Sequence, residues 1–389
     1  MAEPGRRSRE RLPPFGERLP ELITAPVGPV SGAWMDRLAA VESRNVTWRD
    51  PAGEDAWPVV WTEAKGANVR DADGNVYLDL TAAFGVALAG HRPPAVEAAI
   101  VEQAGRLVHG MGDVHPPEAK IRLLEALASV LPWPATRATL ATSGSEAVEI
   151  ALKTAQLASA DADHPQGRPG IIAFAGGYHG LTLGALAPTH RTDFRAPFAS
   201  RTWGGVAWAP YPGTPEDPKG ERALALVAEW LAEGVPAGDG SGGGAESDGG
   251  SGARAPVGAV IVEPVQARGG VRVLGGQPEA GHCPGVGRAL SDLVAESPAL
   301  LVADEIFSGL GRCGAPLASE RVGLCPDVVA LGQVLGGGLP VSACVGSPEV
   351  MDAWPASPGE ALHTSTFLGH PLACAAGAAM LEGEVAAGL

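Results

Sequence analysis

Apolar positions along the chain follow two alternating rhythms. Short, almost wholly apolar runs recur at "RATLATS" (137–143), "GIIAFAG" (170–176), "GAVIVEPV" (258–265), "ALLVADEIF" (299–307) and "DVVALG" (327–332), and between them lie stretches with helical spacing such as "EAVEIALKTAQLAS" and "ERALALVAEWLAE". A strand buried on both faces reads as a continuous apolar run, whereas a helix covering it shows an apolar stripe every three or four residues. The pattern predicts an α/β domain with a mainly parallel sheet covered by helices. Ahead of it, "WTEAKGANVRDADGNVYLDL" (61–80) alternates around Asp-Gly and Gly-Asn turn signals, as in a small meander of strands. Residues 1–35 are rich in Pro and Arg without periodicity and are expected to form a loosely packed arm. The tract "AGDGSGGGAESDGGSGAR" (237–254) has nothing to bury and is expected to be a flexible surface insertion.

Composition narrows the range of partners. At 389 residues and 45% hydrophobic, the chain can bury a sizeable core in one large or two medium domains. The net charge is -16, with no block of Lys or Arg to track a phosphate backbone, which argues against nucleic acid and anionic membrane and for small molecules. Five cysteines (Cys283, Cys313, Cys325, Cys344, Cys374) form an odd set without a C-x-x-C pair. That set fits a reducing, cytoplasmic compartment and offers neither a disulfide framework nor a metal site. No uncharged apolar run reaches the roughly 18 residues of a membrane span. The early arginines (Arg6, Arg7, Arg9, Arg11) lead into prolines and not into the apolar stretch of a signal peptide.

Ligands of open α/β sheets bind at the carboxyl ends of the strands, and four stretches there carry candidate chemistry. In "TSGSEAVEIALKTA", Ser143, Gly144 and Ser145 open an amphipathic helix whose free backbone N–H groups suit a phosphate; the same residues, with Glu146 in capping-box spacing, also serve simply to cap a helix. In "AFAGGYHGLTLGAL", Tyr178 and His179 follow a strand between glycines, where an aromatic ring can stack on a flat ligand or fill a turn. "IVEPVQARGG" ends an apolar strand in Glu263 and adds Gln266, and "LLVADEIFSGLGRCG" ends another in Asp304 and Glu305. Buried carboxylates are costly unless paired. Asp304 is suited to accept a hydrogen bond from a protonated ring nitrogen, although such acids also serve as helix caps or ion-pair members.

Taken together in their order and spacing, these stretches, with "LDLTAAFGVALAGHRPPAVEAAI", "PDVVALGQVLGGGLP" and "HTSTFLGHPLACAAG", resemble the class III aminotransferases of the 4-aminobutyrate, acetylornithine and ornithine type. The resemblance covers roughly residues 55 to 389 and implies fold type I architecture, pyridoxal phosphate as cofactor, and transfer of an amino group from an amino acid or omega-amino compound to a 2-oxo acid. It implies that Gly144 and Ser145, beside Ser143, bind the cofactor phosphate, that Tyr178 stacks on the ring with His179 beside it, and that Asp304 holds the ring nitrogen protonated. By the same resemblance Glu263 supports Asp304 or the substrate side, Gln266 lies near the ring hydroxyl, Ile306 packs on the second ring face, and Thr366 reaches the phosphate of a neighbouring subunit in a dimer.

Two departures from the family stand out. The family's Schiff-base lysine occupies the third position of a pattern matched here by "LGQVLGGG", and that position is Gln333. An amide can neither form the covalent link nor shuttle a proton, so noncovalent cofactor and impaired activity are expected. The chain contains only four lysines, Lys65, Lys120, Lys153 and Lys219; Lys153 follows the phosphate turn on its helix, and the other three lie in surface-like stretches. The second departure is the end at Leu389, which implies an incomplete C-terminal lobe, exposed apolar surface and a tendency to associate. The expected domains are an arm to residue 35, the first part of a small domain at 36–70, the large cofactor domain at 71–345 and the start of the C-terminal small domain at 346–389. The competing reading is a cofactor-binding pseudo-enzyme, or a partner subunit that forms a heterodimer with an active relative.

Overall fold

The structure is a computed structural model and describes residues 13–47, 58–201, 205–236, 253–276 and 285–386. Most of the glycine-rich tract, residues 237–252, lies outside the described residues, as do residues 1–12 and Cys283. The chain falls into two compact units that divide between Pro94 and Ala95. This division by packing differs from the boundaries at residues 35, 70 and 345 suggested by the sequence.

The first unit is organised by the meander, whose strands β1 (Trp61–Lys65), β2 (Asn68–Asp71) and β3 (Val76–Leu78) pair antiparallel in that order. Three short polar side chains tie residues 16–31 of the expected arm to it. The buried Asn68 Oδ1 accepts from the backbone N–H of Gly16 and Arg18, and Asn75 Oδ1 accepts from Ile23 and Thr24. Asp73 receives the N–H groups of Val30 and Ser31 at the start of the helix Pro29–Val41. A carboxylate from a distant turn thus satisfies donors that a helix start leaves unpaired.

The second unit is built on a seven-stranded sheet. Its strands are β4 (Arg137–Ala141), β5 (Gly170–Phe174), β6 (Val206–Ala209), β9 (Val257–Val262), β12 (Leu300–Asp304), β13 (Val328–Leu331) and β14 (Ser342–Gly346), in the spatial order β4-β14-β13-β12-β9-β5-β6. Two-residue ladders pair β7 (Val235–Pro236) with β8 (Arg254–Ala255) and β10 (Val265–Gln266) with β11 (Arg272–Val273). Only β14 runs against the sheet; β6, β5, β9, β12 and β13 are mutually parallel, and β4, antiparallel to β14, shares their direction. The apolar runs become strands buried along their whole length, as in β5, β9 and β13.

The helix Gly144–Ala158 packs on β4, β9, β12, β13 and β14. Its Val148, Ile150 and Leu152 meet Ile171, Ile261, Val302, Val328 and Cys344 in one core. At about 25 cal/mol per Å² of apolar surface removed from water, each such side chain contributes roughly 1.5–3 kcal/mol. The core fixes the sheet, and the sheet fixes where its carboxyl ends emerge.

Candidate active site

Because five of the strands share one direction with β4, the turns that follow β4, β5, β9, β12 and β13 open at the same edge of the sheet. The buried contacts there bring together nearly all the residues singled out by sequence. His179 Nδ1–H donates to Asp304 Oδ2 at 2.8 Å, with both side chains at 5% exposure or less, and the backbone N–H of Ile306 donates to Asp304 Oδ1 at 3.1 Å. Tyr178 N–H donates to Glu263 Oε2 at 3.0 Å. Burial, reinforced by the neighbouring Asp304, pushes the Glu263 carboxyl well above its ordinary range.

The helix start after β4 joins this cluster through its small residues. Ser143 caps the helix, its Oγ accepting from Glu146 N–H at 3.2 Å, while Glu146 reaches back to Thr142 N–H at 2.7 Å instead of to the cap residue itself. This is half of the capping box expected from the spacing. Ser145 Oγ accepts from Leu181 N–H in the Tyr178–His179 turn at 3.2 Å. A Cβ on Gly144 would stand 3.0 Å from Ile306 Cγ2, and one on Gly332 would stand 2.9 Å from Ile306 Cδ1. Ile306 therefore lies between the phosphate-type turn and the turn that carries Gln333.

Two amide oxygens in this region have no hydrogen-bond partner among the described residues, although both are buried: Gln266 Oε1 and Gln333 Oε1. The orientation of Gln266, itself 1% exposed, is set by its Nε2, which donates to Ala175 O at 2.9 Å. Gln333 starts a short 3₁₀ turn with φ of 44°, in the left-handed region where a non-glycine residue is strained. Thr366 takes no part in the contacts that join the others; it is exposed on the loop that follows His363.

Other neighbours of the cluster were not marked by any local pattern. Thr189 Oγ1 accepts from His179 N–H at 2.9 Å and donates to Gly180 O at 3.1 Å, fixing the His179 backbone. The Tyr211 hydroxyl, wholly buried, donates to Glu263 O at 2.8 Å. The Arg268 guanidinium lies 4.1 Å from the centre of the Tyr178 ring, and Phe194 meets that ring edge-on at 6.1 Å. Glu305 stands outside the chemistry, accepting from Ser308 Oγ, Ala318 N, Ser319 N and Ser319 Oγ at 2.6 to 3.1 Å, the helix-capping role its residue type also allowed.

Of the lysines, Lys153 Nζ pairs with His363 Nδ1 at 3.0 Å, and Lys65 and Lys219 are exposed. Lys120 departs from the surface-like expectation. It is half-buried, burial lowers its pKa, and its Nζ donates to Gly112 O at 2.7 Å.

An acid-and-imidazole pair, a helix start and orphaned amide oxygens thus gather at the carboxyl edge of a mainly parallel sheet, where α/β folds place their ligands. The chain matches the family described as aminotransferase class-III over residues 50–385 and belongs to that family. It is 37% identical over 320 residues to an acetylornithine aminotransferase of Methanopyrus kandleri, covering 82% of this chain and 69% of the relative. It is 33% identical over 326 residues to a 5-aminovalerate aminotransferase of Pseudomonas aeruginosa, covering 84% and 68%. Among solved structures, the ornithine aminotransferase of Toxoplasma gondii superposes with a TM-score of 0.71 at 28% identity, over 90% of this chain and 71% of that one. An amine transaminase from an uncultivated Pseudomonas species, solved with pyridoxal phosphate bound, superposes with a TM-score of 0.71 at 25% identity, over 89% and 75%. The architecture is fold type I. No helix among the described residues is long and apolar enough to cross a membrane.

Proposed function

We propose that this chain holds pyridoxal phosphate reversibly at the carboxyl edge of the sheet, and that its transfer of amino groups from an amino acid or omega-amino compound to a 2-oxo acid is impaired because Gln333 stands where the family carries its lysine. The observation that carries the reading is the buried Oε1 of Gln266, without a partner among the described residues, on a side chain held in place by the Ala175 carbonyl. A buried acceptor left unpaired costs about 1–3 kcal/mol, and a ligand hydroxyl would recover it. The other residues fit the same group. The N–H groups of Gly144 and Ser145 at the helix start, beside Ser143, suit a phosphate, and on this reading Tyr178 would stack on the ring and Ile306 would pack on its second face.

When bound, the cofactor supplies an electron sink for the substrate carbon that loses its proton. Asp304, oriented by His179 and by Ile306 N–H, would accept a hydrogen bond from the protonated ring nitrogen. Burial raises the Glu263 carboxyl and so disfavours a second charge beside Asp304. Gln333 cannot take or return a proton, and losing a positioned general base costs on the order of 10²–10⁴ in rate.

The same reading makes the chain one half of a cytoplasmic dimer, either a homodimer or a heterodimer with a related chain, with the exposed Thr366 serving the neighbouring phosphate. Equilibrium dialysis tests the proposal. The unaltered chain should bind pyridoxal phosphate and lose it completely on dialysis, and Gln333→Lys should retain it. Failure of both proteins to bind would remove the assignment.

A further inference from the structure

We infer that this site holds the amine form of the cofactor, pyridoxamine phosphate, in preference to the aldehyde form, with Gln333 Oε1 as the acceptor that selects it. The inference rests on the cofactor reading above and extends it to the form that is bound. Gln333 Oε1 is buried without a hydrogen-bond partner among the described residues. It lies on the turn after β13, next to Gly332, whose Cβ position falls against Ile306. On that reading the side chain faces the carbon that carries either an amine or an aldehyde. An ammonium group there presents N–H donors to the orphaned oxygen, whereas an aldehyde presents only another acceptor.

The surroundings favour a donor for a second reason. Besides Gln333 Oε1, the buried cluster presents the Asp304 carboxyl and Gln266 Oε1 as acceptors. Lys120 and Lys153 have their amines on Gly112 O and His363, and the Arg268 guanidinium is placed over Tyr178. A family member with a lysine at this position brings its own donor, and this chain leaves that role to the ligand. The competing arrangement is a turned amide, with its NH₂ group on the aldehyde oxygen, and it predicts the opposite order of affinity.

Calorimetric titration of the unaltered chain with pyridoxamine phosphate, pyridoxal phosphate and deoxypyridoxine phosphate, which has neither donor nor acceptor at that carbon, decides between them. A hydrogen bond from a charged donor is worth about a factor of ten or more in affinity, so the amine should bind at least roughly tenfold tighter than the other two. Gln333→Leu, similar in size but without the oxygen, should abolish the difference and still bind deoxypyridoxine phosphate. An aldehyde that binds as tightly as the amine, or more tightly, overturns the inference and leaves the cofactor reading standing. If none of the three binds, the cofactor reading itself fails, and this inference with it. The ligand series on the unaltered chain gives the answer even if the variant does not fold.

Discussion

Glu263 and Asp304 show how two carboxyl groups at neighbouring strand ends acquire different characters. Asp304 has an imidazole and a backbone N–H to answer its charge, while Glu263 has one backbone N–H, full burial and Asp304 as a neighbour. Its folded pKa is therefore raised, and the linkage has a definite sign. The neutral form is favoured by the fold, so stability is fully present below the ordinary carboxyl pKa of 4.5 and is lost as pH rises towards the folded value. Each unit of displacement is worth about 1.4 kcal/mol. Urea midpoints measured from acid to neutral pH should fall less steeply for Glu263→Gln than for the unaltered chain. Glu305 and Asp327 are shifted upwards by burial as well, so the difference between the two proteins isolates Glu263, and parallel curves would contradict the assignment. Asp304→Asn should weaken cofactor binding by roughly tenfold or more, because an amide cannot hold a ring nitrogen protonated. Equilibrium dialysis checks this, and unchanged affinity would place the ring nitrogen elsewhere.

At the scale of elements, the joint between β12 and the segment at residues 317–319 depends on Glu305, which gathers four donors in a buried place. Glu305→Gln sets an NH₂ group against those donors and should cost about 2 kcal/mol or more, read as a lower urea midpoint. Ser143→Ala removes the helix cap and should cost about 1 kcal/mol. The long apolar strands were legible in sequence because full burial leaves a continuous apolar run: the ends of β5, β9, β12 and β13 fall within three residues of the expected stretches. β6 (Val206–Ala209) and β14 (Ser342–Gly346) were not legible. They are as long as β13 and β5 respectively, but "SACVG" is mostly small or polar residues, and both are strands because β5, β4 and β13 offer them hydrogen-bond partners. The site divides in the same way. Residues at the ends of readable strands, such as Asp304, Glu263 and Gln333, could be found from the pattern. Thr189, Tyr211 and Arg268 arrive from separate segments and are recognised only by what they touch.

For the whole molecule, the chain belongs to the class-III aminotransferase family and carries a mainly parallel sheet, and the proposed function turns on one side chain, Gln333. On the proposed reading, Asp304, Tyr178 and the helix start would hold the cofactor, and Gln333 would stand in the place of a covalent anchor. The central claim is that cofactor is held here without a covalent bond. Its most direct test is to load the unaltered chain and Gln333→Lys with pyridoxal phosphate, reduce both with borohydride, denature them and locate any retained cofactor by peptide mass. The account predicts no stoichiometric label on the unaltered chain and one label on residue 333 of the variant. A single saturable label on a native lysine of the unaltered chain, Lys120 or Lys153 included, would contradict it.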